Sequence, residues 1–192
     1  MSSEQHTYDQ YYQTANLFGD PYPELLEYFQ QLSPKGKVLD MGCGQGRDAI
    51  ALARMGYQVF GIDVSSVGIS QMLRIASEEG LALEGQAADL YAWEDFEGVD
   101  IVLLDSMLHF SKHDREKEKS LVRKIIKQLA PKGRLVVCIQ DVGKKVDILR
   151  QTMLEADDGR TIEELPFSYT FRDNSSGHSS RTPYRLIALS LV

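Results

Sequence analysis

The sequence predicts an α/β fold: a mostly parallel sheet of seven strands with helices on both faces and an antiparallel hairpin at the C-terminal end. Three observations predict it. The stretch Val38–Ile50, VLDMGCGQGRDAI, passes from a short apolar strand through Gly42, Gly44 and Gly46 into a helical pattern. Short apolar runs then alternate with helical periodicity as far as residue 155, the arrangement that builds a parallel sheet covered by crossover helices. Beyond residue 160 two strands follow one another around the polar loop RDNSSGHSSRT, which reads as a closing hairpin.

Composition narrows the classes of function. The chain has 192 residues, 43% of them hydrophobic, enough for one domain with a buried core and a small appendage. Its net charge of −7 argues against a protein that grips nucleic acid through a broad basic face. No run of about 18 apolar residues is present, so no membrane span is expected. The N-terminus, MSSEQHTYDQYYQ, is polar and lacks a signal-peptide core, and the expected location is cytoplasmic. The two cysteines stand alone, Cys43 in the glycine turn and Cys138 in an apolar run. They make a poor disulfide or metal framework, and no metal is expected. Cys138 reads as a buried apolar filler and Cys43 as a small residue that fits a tight loop.

Each element has a local reason. Residues 1–22 carry Tyr8, Tyr11, Tyr12, Phe18 and Tyr22, more aromatics than a disordered tail holds. Residues 1–32 are therefore expected to form an aromatic lid and a helix, and residues 33–192 the main domain. That helix is Pro23–Leu32, with proline suited to its first turn and Leu25, Tyr28, Phe29 and Leu32 at helical spacing. Ser33-Pro34-Lys35-Gly36 ends it, and the first strand is Lys37–Met41. A helix from Arg47 to Met55 closes at Gly56, and Tyr57–Asp63 is the second strand. The next helix, Ser66–Glu79, puts Ile69, Met72, Leu73 and Ala76 on its core face and stops at Gly80. Leu81–Ala87 is a third strand of weaker pattern, and Trp93–Phe96 reads as one helical turn. Val99–Leu104 is a near-continuous apolar run, as expected of a strand buried on both faces. The charged run KHDREKEK reads as the solvated start of a helix that continues to Ala130 on Val122, Ile125, Ile126 and Leu129. Arg134–Gln140 is the fifth strand and Lys144–Glu155 a helix with Val146, Leu149 and Met153 inward. Thr161–Phe171 and Pro183–Val192 are the hairpin strands. Pro166 marks an edge or bulge in the first of them.

The strand–glycine turn–helix unit is that of a Rossmann-like sheet, which binds its ligand at the C-terminal ends of the strands. The dinucleotide fingerprint G-x-G-x-x-G would need its third glycine at position 47, which is Arg47. The pattern present is D-x-G-x-G-x-G, from Asp40 to Gly46. Asp63 closes the second strand 17 residues beyond Gly46, near the position of an acidic residue that takes ribose hydroxyls in such units. Asp63 also suits the N-cap of the following helix, although Ser65 or Ser66 can do that work instead.

At these residues the chain resembles the class I S-adenosylmethionine-dependent methyltransferases. The stretch GCGQGRDAIALARMGYQVFGIDVS is most similar to the small bacterial branch of tellurite-resistance and thiopurine-type enzymes, Arg47-Asp48 being part of the likeness. The resemblance implies S-adenosylmethionine as cofactor. It places Asp40 toward the methionine part, Asp63 toward the ribose and Asp89 toward the adenine amino group. The binding set it implies is Asp40, Met41, Gly42, Cys43, Gly44, Gly46, Arg47, Asp63, Val64, Ala88, Asp89, Leu90, Asp105 and Ser106. Family members end their seven-stranded sheet with such a hairpin, and small-molecule methyltransferases of this kind carry an N-terminal cover.

The stretch Asp105–Phe110, DSMLHF, stands where the family lines its transfer site. It departs from the N/D-P-P-Y/F motif of amide and exocyclic-amine methyltransferases. His109 is the proton acceptor placed nearest the chemistry, and two readings stay open: a general base, or an ordinary histidine at a strand–helix junction. Tyr11, Tyr12, His109, His178 and Arg181 form the candidate acceptor set. His178, Arg181 and Tyr184 would select an anionic acceptor, or would belong to a mobile surface hairpin. The expected activity is methyl transfer to a small molecule by a monomer or homodimer that binds neither membrane nor nucleic acid. An RNA or protein methyltransferase, and a cofactor-binding module without catalysis, are the alternatives.

Overall fold

The structure, a computed structural model, describes residues 3–14, 17–156, 159–172 and 179–191. Its elements follow the chain as α1 Ser3–Tyr11, α2 Pro23–Gln31, β1 Lys37–Met41, α3 Arg47–Arg54, β2 Gln58–Asp63, α4 Ser66–Glu79, β3 Leu83–Ala87, β4 Ile101–Asp105, α5 Arg115–Gln128, β5 Arg134–Gln140, α6 Lys145–Glu155, β6 Thr161–Arg172 and β7 Ser179–Ser190. The strands form one seven-stranded sheet in the order β3-β2-β1-β4-β5-β7-β6. The β1–β2, β1–β4 and β2–β3 pairs are parallel, whereas β7 runs antiparallel to both β5 and β6. Among the described residues no helix is long and apolar enough to cross a membrane. The chain divides into two compact units, residues 1–103 and 104–192.

In the first unit, β1 is buried from Val38 onward because both of its faces are covered. α2 buries Leu25 and Phe29, and the Tyr57 hydroxyl donates to the Phe29 carbonyl at 2.6 Å. That bond ties the end of α2 to the residue that opens into β2, and the same carbonyl also accepts the Leu32 N–H and the Lys35 ammonium. α4 begins with Ser65 as its N-cap, the serine oxygen accepting the Gly68 N–H, and ends at Gly80 in the left-handed conformation. Its Met72 side chain is fully buried on a surface made by three glycines. A Cβ on Gly46, Gly61 or Gly85 would stand 2.4, 2.9 or 2.5 Å from a Met72 atom. This is why β2 and β3 carry glycines in their middles: the backbone must come close enough for α4 to pack.

Trp93–Phe96 forms no helical turn. The turn lies earlier, with the Ala92 N–H on the Asp89 carbonyl at 3.0 Å. Downstream, the Asp95 carboxylate accepts the Glu97 N–H and its carbonyl accepts the Trp93 indole N–H. An aspartate that captures the backbone two residues on competes with helix formation.

In the second unit, β4 continues fully buried through Asp105, and α5 packs Leu121, Val122, Ile125 and Ile126 inward. The β6–β7 pairing runs from Thr161↔Ser190 to Arg172↔Ser179, while β5 pairs with β7 only from Leu135↔Leu189 to Gln140↔Tyr184. The hairpin thus extends five residue pairs beyond the end of β5. Its base is fixed by Arg185, which reaches both Asp141 and Glu164, and by Arg150 on Glu164. Pro166 sits in β6, the edge strand, where a missing ladder donor is tolerated.

Gly46 supports a direct stability test. It has φ of 84°, and an added methyl would meet Met72. Gly46→Ala is expected to lower unfolding free energy by about 2 kcal/mol through left-handed strain and overpacking, as read by urea denaturation.

Candidate functional site

The glycine turn between β1 and α3 is held from behind by the end of β2. The Ile62 carbonyl accepts the N–H groups of Gly42 and Cys43 at 2.7 and 3.0 Å. The Asp63 carboxylate accepts the Gly44 N–H at 3.0 Å and the Ser65 N–H at 2.8 Å. The Cys43 carbonyl accepts the Gly46 N–H at 2.8 Å. A turn of this shape is expected to present its N–H groups to a ligand. These four N–H groups are spent within the chain instead. An anion such as a pyrophosphate would find those four donors already taken.

What the turn offers is carboxyl oxygen. Asp40, at 2% exposure, faces the start of α3, where the Ala49 N–H bonds to it. Its Oδ2 is buried and has no hydrogen-bond partner among the described residues. Burial pushes the Asp40 carboxyl well above the usual carboxylate range. Asp48 and Asp63 add to the rise, and Arg47 and the Ala49 N–H oppose it. Arg47 is committed elsewhere: it bonds Asp48 at 3.0 Å and lies over the Tyr22 ring at 4.7 Å. An orphaned buried carboxylate oxygen is costly, and a cation is the ligand that would relieve it. Asp63 is also raised, mainly by burial, with its two backbone bonds holding it down. Each of its oxygens accepts one N–H and retains a second lone pair for a hydroxyl. Burial, and then the charges of Asp40 and Asp63, push the Cys43 thiol up. It stays protonated, which removes it as a nucleophile.

The N-terminal segment is docked on this turn. Tyr12, 3% exposed, places its hydroxyl 2.6 Å from where a Gly44 Cβ would stand, and its ring against Gly68. Burial and the Asp63 charge raise its phenol. The Gln71 amide donates to the Tyr12 carbonyl at 2.9 Å, and the Gln45 amide donates to the Thr14 carbonyl at 2.9 Å and accepts the Leu17 N–H at 3.0 Å. Asp9 accepts the Ser65 hydroxyl and the Val67 N–H at the start of α4. The expected acceptor pair therefore separates: Tyr12 lies on the glycine turn, and Tyr11 is exposed. Helix α1 was not expected, although Tyr8, Tyr11 and Tyr12 stand at i, i+3 and i+4.

The remaining residues of the expected set fall as follows. Met41 is buried at the end of β1, and Val64 separates Asp63 from the Ser65 cap. The Ala88 N–H bonds to the Asp63 carbonyl at 2.8 Å, Leu90 is buried, and Asp89 is exposed with its carboxylate on the Tyr91 N–H. In the second unit Asp105 is buried and accepts the Ser106 hydroxyl at 2.9 Å. Ser106 lies at φ 59° and Phe110 at φ 48°. Non-glycine residues with positive φ at the end of a strand are a signature of functional loops. His109 is exposed between buried Leu108 and Phe110. Arg181 is exposed in β7 opposite Thr170. Tyr184 does not reach outward: it is buried and stacked on Phe167 at 5.6 Å. His178 lies outside the described residues. Glu118, expected in a solvated helix start, is 2% exposed. It continues the stripe of Leu121, Val122 and Ile125 at i+3, i+4 and i+7, and that spacing was readable in the sequence.

A family model described as a methyltransferase domain matches residues 32–175. The chain belongs to this methyltransferase family, whose cofactor is S-adenosylmethionine. Among curated relatives, the 2-heptyl-1-hydroxyquinolin-4(1H)-one methyltransferase of Mycobacteroides abscessus is 30% identical over 124 residues, covering 64% of this chain and 54% of that one. The probable S-adenosyl-L-methionine-dependent methyltransferase TehB of Haemophilus influenzae is 27% identical over 164 residues, covering 85% and 49%. The chain spans about half the length of these relatives. The crystal structure of TehB from Haemophilus influenzae superposes with a TM-score of 0.71 at 16% identity, over 98% of this chain and 67% of that one. That similarity confirms the fold.

The state of Asp40 has a consequence for stability. A carboxyl whose folded pKa is raised keeps its proton where the unfolded chain has lost it. The folded state then binds more protons than the unfolded, and stability falls as pH rises. Asp40→Asn is expected to stabilise the free protein by about 1 kcal/mol at pH 8 and to flatten this pH dependence, as read by denaturation at pH 5 and pH 8.

Proposed function

We propose that this protein transfers the methyl group of S-adenosylmethionine to a small-molecule acceptor. The observation that carries the cofactor assignment is the buried, unpartnered Asp40 Oδ2 beside a glycine turn whose N–H groups are already spent. That acceptor, together with Arg47 where a dinucleotide turn has its third glycine, favours a cationic cofactor over a dinucleotide. Asp40 would face the methionine end, Asp63 the ribose hydroxyls and Asp89 the adenine amino group. Met41, Gly42, Cys43, Gly44, Gly46, Arg47, Val64, Ala88 and Leu90 would complete the binding surface of the first unit, and Asp105 and Ser106 are candidates in the second.

When bound, the sulfonium supplies a methyl carbon with a good leaving group. The protein's contribution is then alignment and exclusion of water. Tyr12 and the polar bonds of Asp9, Thr14 and Leu17 cover the glycine turn, a role suited to a small acceptor. The His109 imidazole would take the proton of a hydroxyl or amine acceptor; a thiolate or soft metalloid would need no base. Support for a small acceptor comes from the acidic balance, the DSMLHF sequence and the small-molecule methyltransferase among the relatives. Arg181 is a candidate for contact with an anionic acceptor.

Calorimetric titration with S-adenosylmethionine, S-adenosylhomocysteine and NAD tests the cofactor. The first two are expected to bind and NAD not; binding of NAD alone would sink the assignment. A bound cation holds Asp40 ionised against the charges of Asp48 and Asp63, so binding is expected to release a proton and affinity to rise with pH. Buffers of different ionisation enthalpy read that proton directly. Asp63→Ala is expected to weaken binding by about 1–3 kcal/mol.

Acceptor turnover is read with radiolabelled methyl cofactor against small thiols, metalloid oxyanions and 2-heptyl-1-hydroxyquinolin-4(1H)-one, with total RNA and protein extracts as controls. Incorporation into RNA or protein alone would refute the small-molecule reading. Deleting residues 1–14 is expected to weaken cofactor binding at least tenfold, since it removes Tyr12 and Asp9 together; unchanged affinity would exclude the cover.

A further inference from the structure

We propose that Glu118 is a positioning residue: its buried carboxylate clamps the backbone N–H groups of His109 and Phe110 and thereby sets the loop that presents His109. The inference deepens the proposed function and rests on reading that loop as the acceptor side.

Glu118 sits in the first turn of α5, inside the most charged run of the chain, yet is 2% exposed. One carboxylate oxygen accepts the His109 N–H at 3.0 Å and the other accepts the Phe110 N–H in a short contact. Both donors belong to neighbouring peptide units, so a two-oxygen acceptor fixes the plane of each and the angle between them. Phe110 is held at φ 48°, a conformation that costs a non-glycine residue about 1 kcal/mol or more. Something must hold it there, and the Phe110 ring, buried at 4% exposure, and the Glu118 bond both do so. At the other end of the loop, the Ser106 N–H donates to the Cys138 carbonyl of β5 at 2.9 Å, with φ of 59°. The loop is therefore fixed at both ends, with Leu108 and Phe110 turned inward and His109 outward. A glutamate that served only as a helix-start charge would be solvated. This one is out of water, and its partners lie outside the helix.

Charge is needed as well as shape. A glutamine at 118 offers one acceptor oxygen and an NH₂ group that faces an N–H donor. Glu118→Gln is nearly isosteric and retains the helix, so it isolates the clamp. Glu118→Asp, one methylene shorter, is measured alongside as a second variant with the charge kept and the reach lost.

The test uses the full chain. In wild type, the His109 and Phe110 amide protons should resonate far downfield and exchange slowly. In Glu118→Gln at least one should lose that signature and exchange about tenfold faster or more, while amides of β1, β2 and α4 and the affinity for S-adenosylhomocysteine stay within twofold. Methyl transfer to whichever compound of the acceptor panel wild type methylates should fall about tenfold. It should fall no further in the double variant with His109→Ala, because a residue that acts through His109 has nothing left to position. Unchanged exchange at both amides in both variants would overturn the clamp. So would a loss of transfer in the double variant equal to the product of the two single losses, or a uniform rise in exchange across the chain. The two readings fail separately. If wild type fails to bind S-adenosylhomocysteine, the cofactor assignment falls and the exchange result still decides the clamp. If His109→Ala keeps full turnover, the base reading falls and the positioning role of Glu118 falls with it.

Discussion

The first unit depends on how the glycine turn spends its backbone donors. A turn after the first strand of such a sheet ordinarily presents N–H groups to an anion. Here the end of β2 takes them first. Ile62 contributes a carbonyl that accepts two of them, and Asp63 contributes a carboxylate that accepts a third. The turn is thus braced before any ligand arrives, and Asp40 of β1, facing the start of α3, leaves a carboxyl oxygen unpaired beside it. Four of its backbone donors are satisfied and the Asp40 Oδ2 acceptor is not, the reverse of the usual arrangement.

That reversal explains why the sequence was informative about the cofactor and silent about the geometry. The spacing of Asp40, Gly42, Gly44, Gly46 and Asp63 separated this chain from a dinucleotide-binding one, since Arg47 stands where a glycine would be required. The same spacing gave no hint that Asp63 braces the turn, because that depends on the parallel register of β1 and β2. Periodicity located the helices and strands where burial is one-sided or complete. It failed where local hydrogen bonding decides, as in the Asp95 turn, and where an element packs through polar contacts. Helix α1 is the clearest case: it docks through its own Asp9, and the residues just after it through Gln45 and Gln71, which no apolar pattern records. The glycines of β2 and β3 weakened the strand pattern for a reason visible only once Met72 is seen lying across them.

Burial of charge is the second theme, and the degree of satisfaction distinguishes the roles. Glu118 and Asp63 each have both carboxylate oxygens on backbone N–H groups. Such a carboxylate is a structural clamp, worth its desolvation because it orders two peptide units at once. Asp40 has one oxygen left over. Leaving it so costs stability in the free protein, and natural proteins accept such costs where function needs them. A charged side chain read from sequence as solvated or as ligand-binding can be either; the helical register of Glu118 with Leu121, Val122 and Ile125 is the sort of signal that separates the cases in advance.

The two units therefore use one chemical device for different ends. In the first, a carboxylate braces a glycine turn so that a neighbouring carboxylate can stay unpaired. In the second, a carboxylate braces a loop in which Ser106 and Phe110 are held in conformations that side chains disfavour. Strain of this kind persists only where surrounding contacts over-determine it, and here the contacts are identifiable: the Cys138 carbonyl at one end and Glu118 at the other. A loop built to be merely a connection would relax to glycine at those positions, as the chain does at Gly80 and Gly98. Here it instead keeps a serine held by the Cys138 carbonyl and a phenylalanine held by a buried glutamate, so the conformation is maintained by contacts rather than by the absence of a side chain.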